Sequence, residues 1–203
     1  MLTITDFNNR IAPQLNSLTH NRSRAGFPGL IVNLAQNPIP RMNPEVFVCR
    51  GVAVQNLFTA VQFEPNKIVF YEKMNNTIGI SFLFSGCYLA QFEYNNRKYI
   101  AHISTGTGID CKPQWDEFVN QCKNDNSFSN FFLYKPYDNY SENRILKVQK
   151  VLDTCGVIDN LNDFQTGIIK TSNCRLVDLY VSHTIKRVFG HINDNNIHNI
   201  LIG

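Results

Sequence analysis

Short apolar runs broken by turn residues dominate the first half of the chain. Residues 30–34, 46–54, 57–63, 67–72 and 78–84 each read as a strand, rich in β-branched and aromatic side chains. Arg50-Gly51 interrupts the second run, and Pro65-Asn66 between the third and fourth predicts a hairpin. A second hairpin is expected over 87–103, with Asn95-Asn96 as a two-residue loop of the kind that tolerates positive φ.

Helical spacing appears in three places. Ile4, Phe7, Ile11, Leu15 and Leu18 repeat over 4–18, where Pro13 should end or kink the helix. Pro113 opens a second helix with Trp115, Phe118, Val119 and Cys122 on its apolar face. Ser141 reads as the N-cap of a third, reaching Leu152, with Gly156 beyond its end. The aromatic stretch 127–140 is expected to be a core strand or an ordered surface loop, and 167–171, 176–181 and 185–189 are late strands. The pattern predicts an α+β fold. Its core would be a largely antiparallel or mixed β-sandwich flanked by helices, in a single domain over 1–203.

Composition narrows the function classes. A chain of 203 residues with 43% hydrophobic content can bury a real core. The net charge of +3 is too small to argue for nucleic acid or a membrane surface. No apolar run is long enough for a membrane-spanning helix, and the first residues lack the pattern of a Sec-type signal. Cys49, Cys87, Cys111, Cys122, Cys155 and Cys174 are scattered without C-x-x-C spacing, so reduced thiols and no metal site or cofactor are expected. The 26 Asn read as coding bias rather than function. His183, His191 and His198 lack the spacing of a compact metal motif. Arg22 and Arg24 lie in a basic loop that is expected to be solvated.

The expected hairpin carries the chemistry. With Asn95-Asn96 as the loop, Tyr94 faces Arg97, Leu89 faces His102 and Cys87 faces Ser104. Side chains alternate along a strand, so Cys87, Leu89 and His102 share one face. Cys87 and His102 become diagonal neighbours, roughly 7 Å apart at the backbone. An imidazole there can take the proton of a thiol and leave the nucleophilic thiolate. Gly86 allows a sharp turn, and the amides around Gly86 and Cys87 are candidates for an oxyanion hole. A buried structural cysteine is the competing reading. The loop 104–108 is expected to line the rim of this site, and Asp110 is a candidate to orient His102.

Ser85-Gly86-Cys87 followed by a hairpin bearing His102 resembles the catalytic core of the cytotoxic necrotizing factors and of the Burkholderia lethal factor. The chemoreceptor deamidases look like more distant relatives. The resemblance covers about residues 78–107. Phe84 stands where the family usually has leucine, and 102–107 looks like its His-Thr-Gly-Thr stretch with an insertion. Ser81 stands six positions before the cysteine, where the lethal factor has a threonine hydroxyl. In the necrotizing factors the third element is a backbone carbonyl, which the sequence does not place.

The resemblance implies a toxin or effector, exported without a Sec-type signal, that deamidates a host-protein glutamine inside the host cell. Catalysis would rest on Cys87, His102 and Ser81, with Ser85 and Gly86 in the turn. Rho-type GTPases or a translation-initiation RNA helicase are the implied targets, with the enzyme acting as a monomer. Proteolysis, transglutamination or a non-enzymatic interaction module are the alternatives on the same residues.

Overall fold

The computed structural model describes residues 2–14, 33–34, 37–84, 86–106, 108–136, 154–158, 163–170, 175–183, 188–193 and 196–201. Ser85, Thr107, Arg22, Arg24 and the helix expected over 141–152 lie outside them. The described residues are mostly sheet with a small helical part, compatible with α+β.

The strands are β1 (Asn33–Leu34), β2 (Phe47–Val54), β3 (Phe58–Ala60), β4 (Ile68–Glu72), β5 (Ile78–Phe82), β6 (Tyr88–Tyr94), β7 (Arg97–Ile103) and β8 (Phe128–Tyr134). They continue with β9 (Thr154–Ile158), β10 (Asp163–Lys170), β11 (Arg175–His183), β12 (Val188–Asn193) and β13 (Asn196–Leu201). One curled mixed sheet runs β11-β10-β9-β5-β3-β2-β4-β7-β6-β8, with β1 also on β2, and β12 pairs with β13 apart from it. Most neighbours are antiparallel, but β2 with β4 and β3 with β5 are parallel.

β2 is the pivot of the curl. Its first part, Phe47 to Cys49, pairs with β4, and its last part, Val52 to Val54, pairs with β3. The bend between them falls at Arg50-Gly51, the interruption seen in the sequence. A Cβ on Gly51 would lie 2.4 Å from Cγ of Tyr71, so only glycine lets β4 pack across the bend. The halves on either side of the pivot fold face to face. Gly79 of β5 backs onto Ile100 of β7, where an added Cβ would come within 2.8 Å of Ile100 Cγ2.

The two faces of the β6–β7 hairpin do different work. Ala90, Phe92, Tyr99, Ala101 and Ile103 pack under α2 (Lys112–Cys122), whose Trp115, Phe118 and Cys122 are buried as the spacing predicts. The other face, with Cys87, Leu89 and Ile100, meets Val61, Phe84 and Ile158 from the opposite half. The site lies in that second layer.

Several expectations are corrected. Residues 57–63 and 67–72 do not form a hairpin: β3 pairs with β2 and β5, while β4 pairs with β2 and β7. Parallel pairing of β4 with the distant β2 buries both of its faces, a gain that a local hairpin would forgo. Gly156, expected beyond the end of a helix, sits within β9, opposite Ser81 and Thr166. At the N-terminus α1 (Ile4–Asp6) widens into a π-helical turn (Phe7–Ile11) just before Pro13, where the Ala12 N–H reaches back to the Phe7 carbonyl. A wide turn is a common source of a kink. Of the late strand expected at 185–189, residues 188–189 fall in β12 and 185–187 lie outside the described residues, and β13 adds a strand not expected, with His191 opposite His198.

Candidate active site

The hairpin has the register that the sequence predicts. Tyr94 pairs with Arg97 and Leu89 with His102, and Asn95 and Asn96 take φ of 49° and 62°. Positive φ at both loop positions is what a type I′ turn requires, and it fixes the even count on which the shared face depends. The strand begins at Tyr88, so Cys87 sits one residue ahead of it. Leu83 (φ 64°) and Gly86 (φ 142°) both have left-handed backbone between β5 and β6. For a leucine that geometry is strained, and it turns the chain out of β5 toward the cysteine.

Ser81 arrives from β5 in the opposing half. Its hydroxyl lies 2.7 Å from the Val61 carbonyl and 2.7 Å from His102 Nδ1. A carbonyl only accepts, so the single hydroxyl proton of Ser81 goes to Val61. His102 then donates through Nδ1–H, and its tautomer is set. Nε2 is left with its lone pair, buried and without a hydrogen-bond partner. Phe84 stacks on the ring at 4.5 Å between centroids, and Phe63 meets it edge-on at 5.5 Å.

Burial pushes the imidazole down to about 3, because charging it inside this apolar layer forfeits its hydration. His102 is therefore neutral across the neutral pH range. Nε2 presents an oriented, unpartnered lone pair toward the site, while the same burial opposes protonation of the ring.

Cys87 is 1% exposed and lies in the same apolar layer. Its Sγ accepts from the Thr105 N–H at 3.4 Å and donates to the Thr105 carbonyl at 3.5 Å. Cys87 and His102 thus share a face, while the unpartnered Nε2 means that no hydrogen bond joins them in this state. The loop after His102 does meet the cysteine, as the rim reading expects. Asp110 does not orient His102: its carboxylate accepts from the Lys112 N–H at the start of α2. Asp110 closes an Asx turn at the helix entrance, where Cys111 is the N-cap.

The other described cysteines are thiols and form no disulfide. Burial, with the Glu72 carboxylate nearby, pushes Cys49 up to about 11. Burial also raises Cys111, with the Asp110 charge adding to it. Among the described residues no group of three or more metal-ligating side chains converges, and no helix is long and apolar enough to cross a membrane. Val61 was not legible in advance and Thr105 only as part of the rim loop, because both contacts use backbone atoms that leave no side-chain signature.

Searches of protein-family models, curated proteins and solved structures find no match to this chain.

Proposed function

We propose that the chain is a cysteine-dependent glutamine deamidase that acts on a host protein as a toxin or effector. Cys87 is the nucleophile and His102 the base, with Ser81 as the residue that positions His102. The observation that carries this reading is the Val61–Ser81–His102 relay. It spends the only hydroxyl proton on a carbonyl and leaves Nε2 as a buried, oriented acceptor.

In the reaction, the Cys87 proton passes to His102 Nε2 and the thiolate adds to the carboxamide carbon of a substrate glutamine. Amides around Gly86 and Cys87 receive the oxyanion. As the tetrahedral intermediate collapses, the C–N bond breaks and ammonia leaves with the proton held on Nε2. Water then adds to the thioester, giving one proton to Nε2. Cleavage of the C–S bond returns that proton to sulfur and releases glutamate. A primary amine in place of water would give transglutamination. The resemblance of 78–107 to the necrotizing factors and the Burkholderia lethal factor supports the reaction class. Ser81, at the position of the lethal factor's hydroxyl, contacts His102 Nδ1, which supports its role as the positioning residue.

The test is ammonia release from host protein. Cys87→Ser and His102→Ala should each abolish it while far-ultraviolet circular dichroism stays native. Activity retained in either variant overturns the mechanism.

A second reading is a non-enzymatic interaction module. It is favoured by the near-complete burial of Cys87 and His102 and by the bonding of the thiol to Thr105. A thiol-directed probe separates the two. Selective labelling of Cys87 over Cys49 and Cys155 supports the enzyme, and equal labelling supports the module.

A further inference from the structure

We propose that the main-chain N–H of Thr105 is a catalytic group of the cysteine site, donating to the Cys87 thiolate when sulfur attacks. The inference rests on the cysteine-dependent reading above and adds a group that the sequence did not identify.

The geometry begins with the contact itself. The Thr105 N–H points at Sγ from 3.4 Å, and Sγ is the reacting atom. Two left-handed glycines frame the contact, one on each segment. Gly86 (φ 142°) precedes the cysteine and Gly106 (φ 135°) follows Thr105. A Cβ on Gly86 would lie 3.7 Å from the Thr105 hydroxyl oxygen, so the two turns are packed against each other. At Gly106 nothing lies within 4 Å of such a Cβ, so its requirement for glycine is one of backbone angle alone. Just ahead of that glycine, both main-chain groups of Thr105, its N–H and its carbonyl, lie on the sulfur.

The chemistry supplies the need. In a usual cysteine–histidine pair an imidazolium offsets the thiolate charge. His102 is buried among Phe84, Phe63 and the apolar layer and rests neutral, so no such cation waits beside the sulfur. When Nε2 takes the proton, the electron pair stays on Sγ and needs a donor already in place. A hydrogen bond to an ionised acceptor is about twice as strong as a neutral one. The Thr105 carbonyl, which holds the thiol proton at rest, repels the thiolate. Ionisation therefore releases the carbonyl contact and strengthens the amide contact.

The test reads the thiol and needs no substrate. Cys87 alkylation by iodoacetamide is followed by peptide mass spectrometry across pH. Thr105→Pro removes the N–H, and replacing the 104–105 amide by an ester through protein ligation removes it without changing a side chain. Protein religated with the natural amide is the control. Each change should raise the Cys87 thiol pKa by about one unit, an approximately tenfold slower alkylation at neutral pH. If Thr105→Pro does not fold, the ester form decides. An unshifted thiol pKa in a folded ester protein overturns the inference, even where ammonia release is normal. A shifted pKa with no ammonia release on any host protein overturns the deamidase reading and leaves the Thr105 contact standing.

Discussion

Gly156 of β9 and Leu89 of β6 meet across the curled sheet at a distance that leaves no room for a side chain at 156. An added Cβ would lie 3.0 Å from Leu89 Cδ2, 2.8 Å from Pro136 Cγ and 3.2 Å from Phe84 Cε2. Gly156 also pairs with Ser81 in the ladder, while Leu89 pairs with His102. The closeness of this pair brings the Ser81 hydroxyl within reach of the imidazole.

Gly156→Ala should therefore cost about 1–3 kcal/mol, the usual penalty for overpacking a core. Urea unfolding measures it. The same variant should weaken the Ser81–His102 bond, visible as a shift of the His102 Nδ1–H resonance. An alanine tolerated with no change in either signal would mean that the halves are not held in this contact.

Ser81→Ala leaves the Val61 carbonyl without its donor and Nδ1–H without its acceptor. Leaving such buried groups unpaired costs about 1–3 kcal/mol. The imidazole also loses the reason to keep its proton on Nδ1. Nitrogen-15 shifts of His102 should change from one tautomer to a mixture, and ammonia release should fall about a hundredfold, the scale of a lost general-base contribution. Ser81→Thr keeps the hydroxyl and should retain the single tautomer.

The buried histidine also predicts how stability depends on pH. The folded value, about 3, lies below the ordinary 6.5, so the unfolded chain binds more protons between those values. His102's contribution is fully present above pH 6.5. It is lost as pH falls toward 3, by about 1.4 kcal/mol per unit at most. His102→Gln removes this slope. Urea midpoints taken across that window should fall less steeply in the variant than in the parent.

Thiol reactivity separates the cysteines. Cys49, pushed up to about 11 by burial and by Glu72, should alkylate slowest at neutral pH. Glu72→Gln removes the charge and should speed it modestly, with desolvation still dominant. Peptide mapping after timed alkylation gives both rates.

The readable parts of the fold are those set by local rules. Asn95-Asn96 forces a two-residue loop, and that count alone sets Leu89 opposite His102, while Cys87, one residue ahead of the strand, joins them by packing in the same apolar layer. The apolar stripe after Pro113 likewise fixes which side of α2 is buried. Asn56, Asn66, Asn76, Asn95 and Asn96 take positive φ in turns and Asn130 at an irregularity of β8, so part of the asparagine richness read as coding bias has a structural use. The unreadable parts depend on partners far away in sequence. Nothing near Pro65-Asn66 announces that β4 will pair with β2, and nothing around Gly156 announces a strand against β5. The Ser81–His102 contact joins two halves of a curled sheet, and Val61 and Thr105 enter through main-chain atoms that any residue would carry.

The central claim is the cysteine-dependent conversion of a host glutamine. Host-cell lysate is incubated with the protein, and Gln-to-Glu changes are mapped by proteomics against a Cys87→Ser control. The account predicts conversion at a defined glutamine that is present with the parent and absent with Cys87→Ser. Identical maps with the two proteins would contradict it.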